Sequence, residues 1–337
     1  MSIKSLYEKL LEPSQALIES IANLEGDIII LGAGGKMGPS LAKLAKNAID
    51  VAGVNKRVIA VARFSEAGLE QDLQRNGIET RQADLLDDYA LQSLPDVQNV
   101  LYLAGTKFGT TGKEWFTWAM NSYLPGRVAE KFQRSRIVAF STGNVYSFTP
   151  VDSDGANENA QARPIGEYAQ SCLGRERIFQ YFSEKNKTPV LIYRLNYAND
   201  VTYGVLSDIA VSVKNQQPID LRMGYVNIIW QQDANELALR SLQHCSVPAK
   251  ILNVTGLEKL SVRDLANAFG KIFGKEPIFK NEEQNTALLS DARESKRLFG
   301  SPAVTVNQMI EVISGWIMEG GKLLNKPTHF QEREGKF

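Results

Sequence analysis

The sequence has few of the residues on which many metal sites and catalytic triads depend. Among its 337 residues there are two cysteines, Cys172 and Cys245, and two histidines, His244 and His329. Two cysteines do not make a disulfide scaffold, so we expect a cytoplasmic protein. Two histidines are too few for most histidine-based metal sites, and they leave little choice for a Ser-His-Asp triad. We expect no bound metal.

Charge and hydropathy argue against two further classes of protein. Lys and Arg together number 38, and so do Asp and Glu, which gives a formal net charge of zero. A protein that binds nucleic acid through its phosphates carries a basic patch, and none stands out here. No apolar run has membrane length, and the charged, amphipathic first residues do not resemble a signal peptide. We therefore expect a small-molecule substrate, without a nucleic-acid or membrane partner.

What the sequence does contain is a strand, a glycine-rich turn and a helical pattern within residues 27–40. The apolar run 28–31 is typical of a buried parallel strand. Glycines allow a tight turn and a close approach of a pyrophosphate, and the helix start offers N–H groups to that anion. This context predicts a dinucleotide-binding turn, with an ordinary glycine turn as the alternative. Its candidate cofactor-binding residues are Gly32, Gly35, Lys36, Met37 and Gly38.

Strands and helices alternate after this turn. The predicted strands are 27–31, 57–62, 78–82, 98–103, 136–141 and 189–194. The helical patterns between them are 41–50, 66–76, 87–94, 113–134 and 167–185. Repeated βαβ units with apolar strands predict an α/β protein with a doubly wound parallel (Rossmann) sheet.

The order becomes irregular after residue 195, which suggests a division into parts. We expect an N-terminal helical extension (1–26) that packs on the sheet edge or on a second subunit. The expected dinucleotide-binding domain is 27–195, to which 226–255 return. A smaller, mostly helical substrate lobe would comprise 196–225 and 256–325, followed by a tail (326–337). Its helices are predicted near 205–215, 233–244, 261–273, 291–299 and 305–320, with short strands near 226–230 and 250–254.

The end of the second predicted strand bears on the choice of cofactor. An NAD site normally has Asp or Glu there to bind the ribose hydroxyls, but this chain has Ala62 followed by Arg63. An arginine can pair with the 2′-phosphate of NADP, which favours NADP over NAD; a solvated surface arginine is the alternative. The remaining candidate residues of the cofactor site are Asp84 and Leu85 at the adenine, and Ala104 and Gly105 where the cofactor passes close to the backbone.

From residue 27 to about 320 the chain resembles the extended short-chain dehydrogenases/reductases, the superfamily of the NAD-dependent epimerase/dehydratase family. The segments that carry the resemblance are Gly32/Gly35/Gly38, Asp84-Leu85, Asn121, the Ser-Thr-Gly-Asn-Val-Tyr run 141–146, Tyr168, Arg194 with Asn196, and 232–233. The resemblance implies an NAD(P)-dependent enzyme that acts on a hydroxyl or keto group of a sugar-like or small polyol substrate. It also implies a homodimer that pairs helices 113–134 and 167–185. The residues it assigns are Thr142 and Tyr168 to catalysis, Asn121 to the cofactor, and Asn144 and Asn196 to the substrate.

One departure from the family affects the chemistry. The family places a lysine four residues after the tyrosine, where its ammonium lowers the pKa of the phenol. Here that position is Cys172, which carries no positive charge and is expected to be a small core residue. Tyr168 should then stay mostly protonated, so it can donate a proton in a reduction but is a weak base. Arg175 lies roughly 10 Å further along the helix axis, and we do not expect it to replace the lysine.

Two interpretations therefore stay open. One is an epimerase-, dehydratase- or reductase-like enzyme without the usual lysine. The other is a catalytically degenerate NAD(P)-binding protein with a sensor or structural role. A second departure bears on the substrate: sugar-nucleotide members commonly have an arginine ahead of an Asp-Asp helix start, whereas residues 224–233 lack it and place Gln232 before Asp233. This argues against a substrate with a diphosphate.

Overall fold

A seven-stranded parallel sheet forms the centre of the computed structural model, which describes residues 2–107, 112–324 and 326–336. Its strands are β1 (Ile28–Leu31), β2 (Val58–Ala62), β3 (Glu79–Gln82), β4 (Asn99–Tyr102), β5 (Arg136–Thr142), β6 (Val190–Leu195) and β7 (Lys250–Val254). Their order is β7-β6-β5-β4-β1-β2-β3, with every neighbouring pair parallel. The order reverses between β1 and β4, and ligands bind at such a switch point. The predicted doubly wound fold is confirmed.

Helices cover both faces of the sheet and build the second lobe. The thirteen α-helices of the described residues are α1 (Ile3–Lys9), α2 (Gln15–Asn23), α3 (Gly38–Ala52), α4 (Leu69–Arg75), α5 (Asp88–Gln92), α6 (Glu114–Trp118), α7 (Leu124–Lys131), α8 (Gly166–Asn186), α9 (Val205–Lys214), α10 (Gln231–Arg240), α11 (Val262–Phe273), α12 (Arg293–Phe299) and α13 (Val306–Met318). None of the described helices combines the length and apolar composition that crossing a membrane requires.

The remaining regular elements are short. Two-residue strands form four pairs in the described chain: Tyr225–Val226 with Leu260–Ser261, Ile229–Trp230 with Ala198–Asn199, Phe279–Lys280 with Ile219–Asp220, and Thr286–Ala287 with Thr149–Pro150. Single turns of 3₁₀-helix lie at Gly143–Val145 and Ser241–His244.

The predicted helix 113–134 is interrupted in the structure. A π-helical segment, Ala119–Tyr123, separates α6 from α7. Pro125 lies in the first turn of α7 and has no N–H to donate to the carbonyl four residues earlier, so the hydrogen-bond register changes there.

The N-terminal segment packs on helices rather than on the edge of the sheet. Ser14 caps α2 by accepting a hydrogen bond from Leu17 N at 3.1 Å, and the helix lies against α3 and α10. The expectation of packing at the sheet edge was therefore wrong. An additional helix, α1, lies against α13, where Ile3 contacts Gly315.

The apolar side chains of β1 point alternately to the two faces of the sheet, and each face is covered by helices. Ile28 and Ile30 belong to the core shared with α2, α3 and α10, whereas Ile29 and Leu31 belong to the core shared with α7 and α8. A separate core holds α9, α11 and α13 together. Val205 of α9 lines a cavity together with Thr142 and Leu195, which lie at the carboxyl ends of β5 and β6.

Candidate active site

The glycine-rich turn is packed so tightly that two of its positions exclude a side chain. Gly32 has φ +90°, and a Cβ there would lie 2.6 Å from Ala104 N. A Cβ at Gly38 would lie 2.4 Å from Ala33 O. The turn therefore sits against the end of β4, and α3 begins at Gly38 with Pro39 in its first turn. This cradle fits an anionic group held by backbone N–H groups.

A cavity of about 240 Å³ lies on one side of the turn. The predicted cofactor residues in its wall are Gly32, Gly35, Arg63, Asp84, Leu85, Ala104 and Gly105. The Asp84 Oδ1 atom accepts a hydrogen bond from Leu86 N at 3.0 Å, which fixes the turn after β3. The Arg63 side chain is exposed at the end of β2, and no carboxylate occupies position 62.

A larger cavity of about 1230 Å³ lies on the other side and shares Gly35 and Gly105 with the smaller one. The predicted site residues in its wall are Gly35, Lys36, Met37, Gly105, Thr142, Asn144, Tyr168 and Asn196. The two cavities thus form one cleft around the turn. An extended dinucleotide fits this arrangement, because one end would lie by Asp84 and the other would reach Tyr168.

Thr142 and Tyr168 meet in the wall of the larger cavity. Thr142 ends β5, and its Oγ1 accepts hydrogen bonds from the backbone N and the Nδ2 of Asn144 at 3.2 and 3.0 Å. The Tyr168 phenol shares side-chain hydrogen bonds with Thr142 and Cys172. Loss of solvent raises the pKa of Tyr168 above its ordinary value; the neighbouring Cys172 raises it further, while Arg175 and Thr142 oppose the rise. The phenol is therefore protonated at neutral pH.

Cys172 lies one helical turn after Tyr168 and is fully buried, with Val145, Tyr146 and Ala156 around it. Burial raises the pKa of its thiol. The thiol is thus neutral, and the expectation of a small core residue agrees with its surroundings.

Arg175 and Asn121 form a buried network beneath the β4 loop. Arg175 donates to Phe140 O and to Asn121 Oδ1, both at 2.7 Å. Asn121 Oδ1 also accepts a hydrogen bond from Thr106 N at 2.9 Å. Its Nδ2 donates to Thr106 O at 2.9 Å and to Ser171 Oγ at 3.0 Å. Neither residue lines either cavity. The two hydrogen bonds to Thr106 attach the loop after β4 to Asn121, and the assignment of Asn121 to the cofactor stays a prediction. Arg175, which we expected to be too distant, still lowers the pKa of Tyr168 through its charge.

The match to a known family covers this site. Residues 28–199, which are 172 of the 337 residues, match the NAD dependent epimerase/dehydratase family. The chain belongs to the NAD dependent epimerase/dehydratase family. The matched segment includes the glycine-rich turn, Thr142 and Tyr168. No curated protein sequence matches the chain at a significant level.

Solved structures show the same fold at low sequence identity. The UDP-glucuronic acid 4-epimerase of Bacillus cereus in complex with NAD is 18% identical, with a TM-score of 0.73 over 88% of this chain and 100% of that one. The UDP-glucose 4-epimerase of Thermotoga maritima with UDP-glucose is 16% identical, with a TM-score of 0.70 over 87% and 99%. An epimerase of Methanothermobacter thermautotrophicus is 17% identical, with a TM-score of 0.71 over 92% and 97%.

Several polar residues of this epimerase/dehydratase cleft escaped the sequence analysis. Tyr7, from α1, donates to Asp200 Oδ2 at 2.9 Å, and both line the larger cavity. Tyr203 was also missed, and the ammonium of Lys36, which the sequence analysis did predict, lies 3.1 Å from the centroid of the Tyr203 ring. Desolvation lowers the pKa of Lys36 to about 7, and the charge of Lys107 acts in the same direction. No local pattern predicts that Tyr7 and Asp200, which are 193 residues apart, meet here.

The segment after α13 closes one side of the cleft. Leu324, Lys326 and Thr328 line the larger cavity. Thr328 is held by Asp208, whose Oδ2 accepts from the Thr328 N at 2.8 Å and from its Oγ1 at 2.6 Å. Part of the predicted tail is therefore a wall of the larger cavity.

Proposed function

We propose that this chain is an NAD(P)-dependent oxidoreductase of the epimerase/dehydratase type that acts on a hydroxyl or keto group of a sugar-like or small polyol substrate. The observation that supports this most is the hydrogen bond between Thr142 and Tyr168 in the wall of a cavity that begins at the glycine-rich turn. Family membership and the polar lining of the cavity are consistent with it. The Thermotoga maritima relative, whose structure contains UDP-glucose, makes a sugar ring a reasonable model for the substrate.

The cofactor residues would divide along the cleft. The turn around Gly32, Gly35 and Gly38, with the start of α3, would hold the pyrophosphate, flanked by Lys36 and Met37. Asp84 and Leu85 would hold the adenine, and Arg63 would pair with a 2′-phosphate, which favours NADP over NAD. When bound, the nicotinamide supplies hydride transfer at a carbon.

The side chains of the cleft would handle the oxygen on that carbon. Thr142 would orient it by a hydrogen bond, and Tyr168 would give or take its proton. Because the phenol is protonated at neutral pH, Tyr168 is better suited to donate a proton to a carbonyl that is being reduced than to accept one from an alcohol. Asn144 and Asn196, in the same wall, would bind further substrate hydroxyls.

A non-catalytic NAD(P)-binding protein with a sensor or structural role is the second candidate. Cys172 favours it, because a buried neutral thiol cannot supply the charge that a lysine gives the phenol. Both candidates bind a dinucleotide, and they differ in turnover.

Titration with NADH and NADPH, read by nicotinamide fluorescence, tests the shared part of both candidates. A screen of sugars, polyols and their keto forms then tests turnover. Tyr168→Phe should lower kcat/KM by about 10²–10⁴-fold without weakening cofactor binding. Tyr89→Phe is the matched control, because Tyr89 is 85% exposed on α5. Full activity of Tyr168→Phe would exclude the catalytic assignment.

Cys172→Lys separates the two candidates. In an inactive binding protein it should create measurable redox turnover with a small sugar or polyol, because an ammonium would then lie one turn from the phenol. In an enzyme, turnover should already be present before the change. If neither protein turns over any substrate while both bind NADPH, the sensor role is favoured.

We also propose a homodimer. Two aromatic side chains protrude from the helices that the family pairs: Tyr123 is 61% exposed next to α7, and Tyr181 is 56% exposed on α8. Aromatic residues are enriched in such interfaces. Sedimentation of the wild type and of a Tyr181→Glu variant tests the pairing, and an unchanged monomer in both samples would refute it.

A further inference from the structure

The side chain of Lys107, from the loop after β4, lies near the Tyr168 ring. It lies in the loop after β4, two residues beyond Gly105, and its Nζ is 5.7 Å from the centroid of the Tyr168 ring. Both side chains line the larger cavity together with Thr142. The carboxyl ends of β4 and β5 lie side by side in the sheet, which places this loop next to Thr142.

The surroundings of Lys107 keep its amine in place. Its Nζ donates to Thr328 O at 3.5 Å, and Thr328 is itself fixed by Asp208. Other charged or titratable groups near this amine are Cys172 on α8 and Lys36 in the turn. Desolvation lowers the pKa of Lys107 to about 8, with Cys172 and Asp208 opposing the decrease. The amine is thus mostly charged at neutral pH.

We propose that Lys107 supplies, from the loop after β4, the positive charge that α8 lacks because Cys172 stands in place of a lysine. It is a positioning residue: it acts through the Tyr168 phenol by favouring the ionised oxygen and by fixing the ring. The inference rests on the proposed function, since it gives the altered tyrosine site a means of working.

Arg175 is less suited to this role. Its guanidinium is committed to Phe140 O and Asn121 Oδ1, and it does not line the cavity. The charge of Arg175 does not change with pH, because arginine does not deprotonate in proteins. Lys107 lines the cavity with Tyr168 and Thr142, and its charge can change near physiological pH, which gives it a distinguishable signature.

The test measures the ionisation of residue 168 directly, without cofactor or substrate. Tyr168 is replaced by 2,3,5,6-tetrafluorotyrosine, a much more acidic phenol, so that ionisation moves toward the pH range in which Lys107 is charged. The ¹⁹F NMR shift is followed against pH in proteins with Lys107, Lys107→Met and Lys107→Arg. Lys113→Met, an exposed lysine at the start of α6, is the matched control.

Removing the charge should raise the apparent pKa of the fluorinated phenol by about 1–3 units in Lys107→Met, with little change in Lys107→Arg or Lys113→Met. Adding Cys172→Lys to Lys107→Met should reverse the rise, because it restores a charge on α8. Lys107→Gln replaces Lys107→Met if that variant does not fold.

Two results would overturn the inference. One is an unchanged phenol pKa in Lys107→Met; the other is an equal rise in Lys107→Met and Lys107→Arg, since the charge would then not be the cause. Failure of the proposed function is detected separately. A protein that binds neither NADH nor NADPH would refute that function, while the titration without cofactor would still report whether Lys107 acts on the phenol.

Discussion

Arg194 on β6 binds both carboxylate oxygens of Glu176 on α8, with Nε–Oε1 at 2.9 Å and Nη2–Oε2 at 2.6 Å. Both side chains are almost completely buried. Ser141 Oγ donates to the same carboxylate at 2.5 Å, and Tyr146 OH accepts from Arg194 Nη1 at 2.6 Å. The pair fixes α8 to β5 and β6, and so it sets the position of Tyr168 relative to Thr142.

Glu176→Ala should lower the free energy of unfolding by about 3–5 kcal/mol, because it leaves the Arg194 charge buried without its partner. Urea denaturation followed by circular dichroism measures the change. Glu184→Ala removes an exposed carboxylate from the same helix, one that pairs with Lys187 at 3.3 Å, and should change stability by less than about 1 kcal/mol. Similar losses in the two variants would mean that the buried pair has no special role.

Gly38→Ala should damage the turn and the fold together. Its Cβ would lie 2.4 Å from Ala33 O, so backbone must move, at a cost of about 1–3 kcal/mol in unfolding free energy. We also expect weaker NADPH binding in a fluorescence titration. Gly126→Ala, within α7, is the control: its Cβ would lie 3.5 Å from the ring of Phe182 on α8, an ordinary contact, and stability should be unchanged or higher. Unaltered NADPH affinity in Gly38→Ala would argue against the cradle.

Arg63→Ala tests the cofactor preference. If the guanidinium pairs with the 2′-phosphate, the dissociation constant of NADPH should rise about 10–100-fold and that of NADH should stay the same, because NADH has no such phosphate. Arg81→Ala is the control, since Arg81 pairs with Glu79 on β3 and lines neither cavity. Equal changes for the two nucleotides, or tighter binding of NADH by the wild type, would contradict the preference for NADP.

Asp233 should make stability depend on pH. Burial raises the pKa of this carboxyl, in the first turn of α10, from 3.8 to about 6. Between these values the folded state binds more protons than the unfolded state, so this contribution to stability is present below about pH 4 and is lost as pH rises through 6.

Asp233→Asn removes the ionisable carboxyl and with it the loss of stability at rising pH. The amide oxygen can still accept the hydrogen bond that Val304 N donates to Asp233 Oδ2 at 3.0 Å. The variant should gain stability over the wild type between pH 4 and about 6.5, and keep the gain above that range. Denaturation at several pH values measures it. Asp264→Asn, at an exposed acid in the first turn of α11, is the matched control. A constant difference across the range would refute the assignment.

Local patterns were enough to predict the sheet. Strands such as Ile28–Leu31 and Val58–Ala62 are short, apolar and fully buried, which is typical of the inner strands of a parallel sheet. The edge strand Glu79–Gln82 is polar and only partly buried. The glycine spacing likewise predicted a turn that the structure places against the end of β4. The π-helical segment before Pro125 was missed, because a proline within an amphipathic pattern does not say how the helix will accommodate it.

The site was only partly predictable for a different reason. Thr142 and Tyr168 lie in segments with recognisable motifs, and both line the cavity. The larger cavity is also lined by Tyr7, Lys107 and Thr328. Tertiary packing brings these residues to the cavity, and the sequence around each of them contains no pattern that predicts it. Asn121 is a different case: the motif assigned it to the cofactor, and its amide forms hydrogen bonds with Thr106, Ser171 and Arg175, which no local pattern predicts. Its cofactor role stays a prediction.

The distribution of the cavity wall along the chain has a consequence for synthesis. The glycine-rich turn, β1 and the first strands leave the ribosome long before Thr328, which closes the side of the chamber next to Lys107. A nascent chain therefore contains the whole glycine-rich turn while residues that complete the wall of the larger cavity are still to be added, so the cavity can be enclosed only after almost the entire chain has been made.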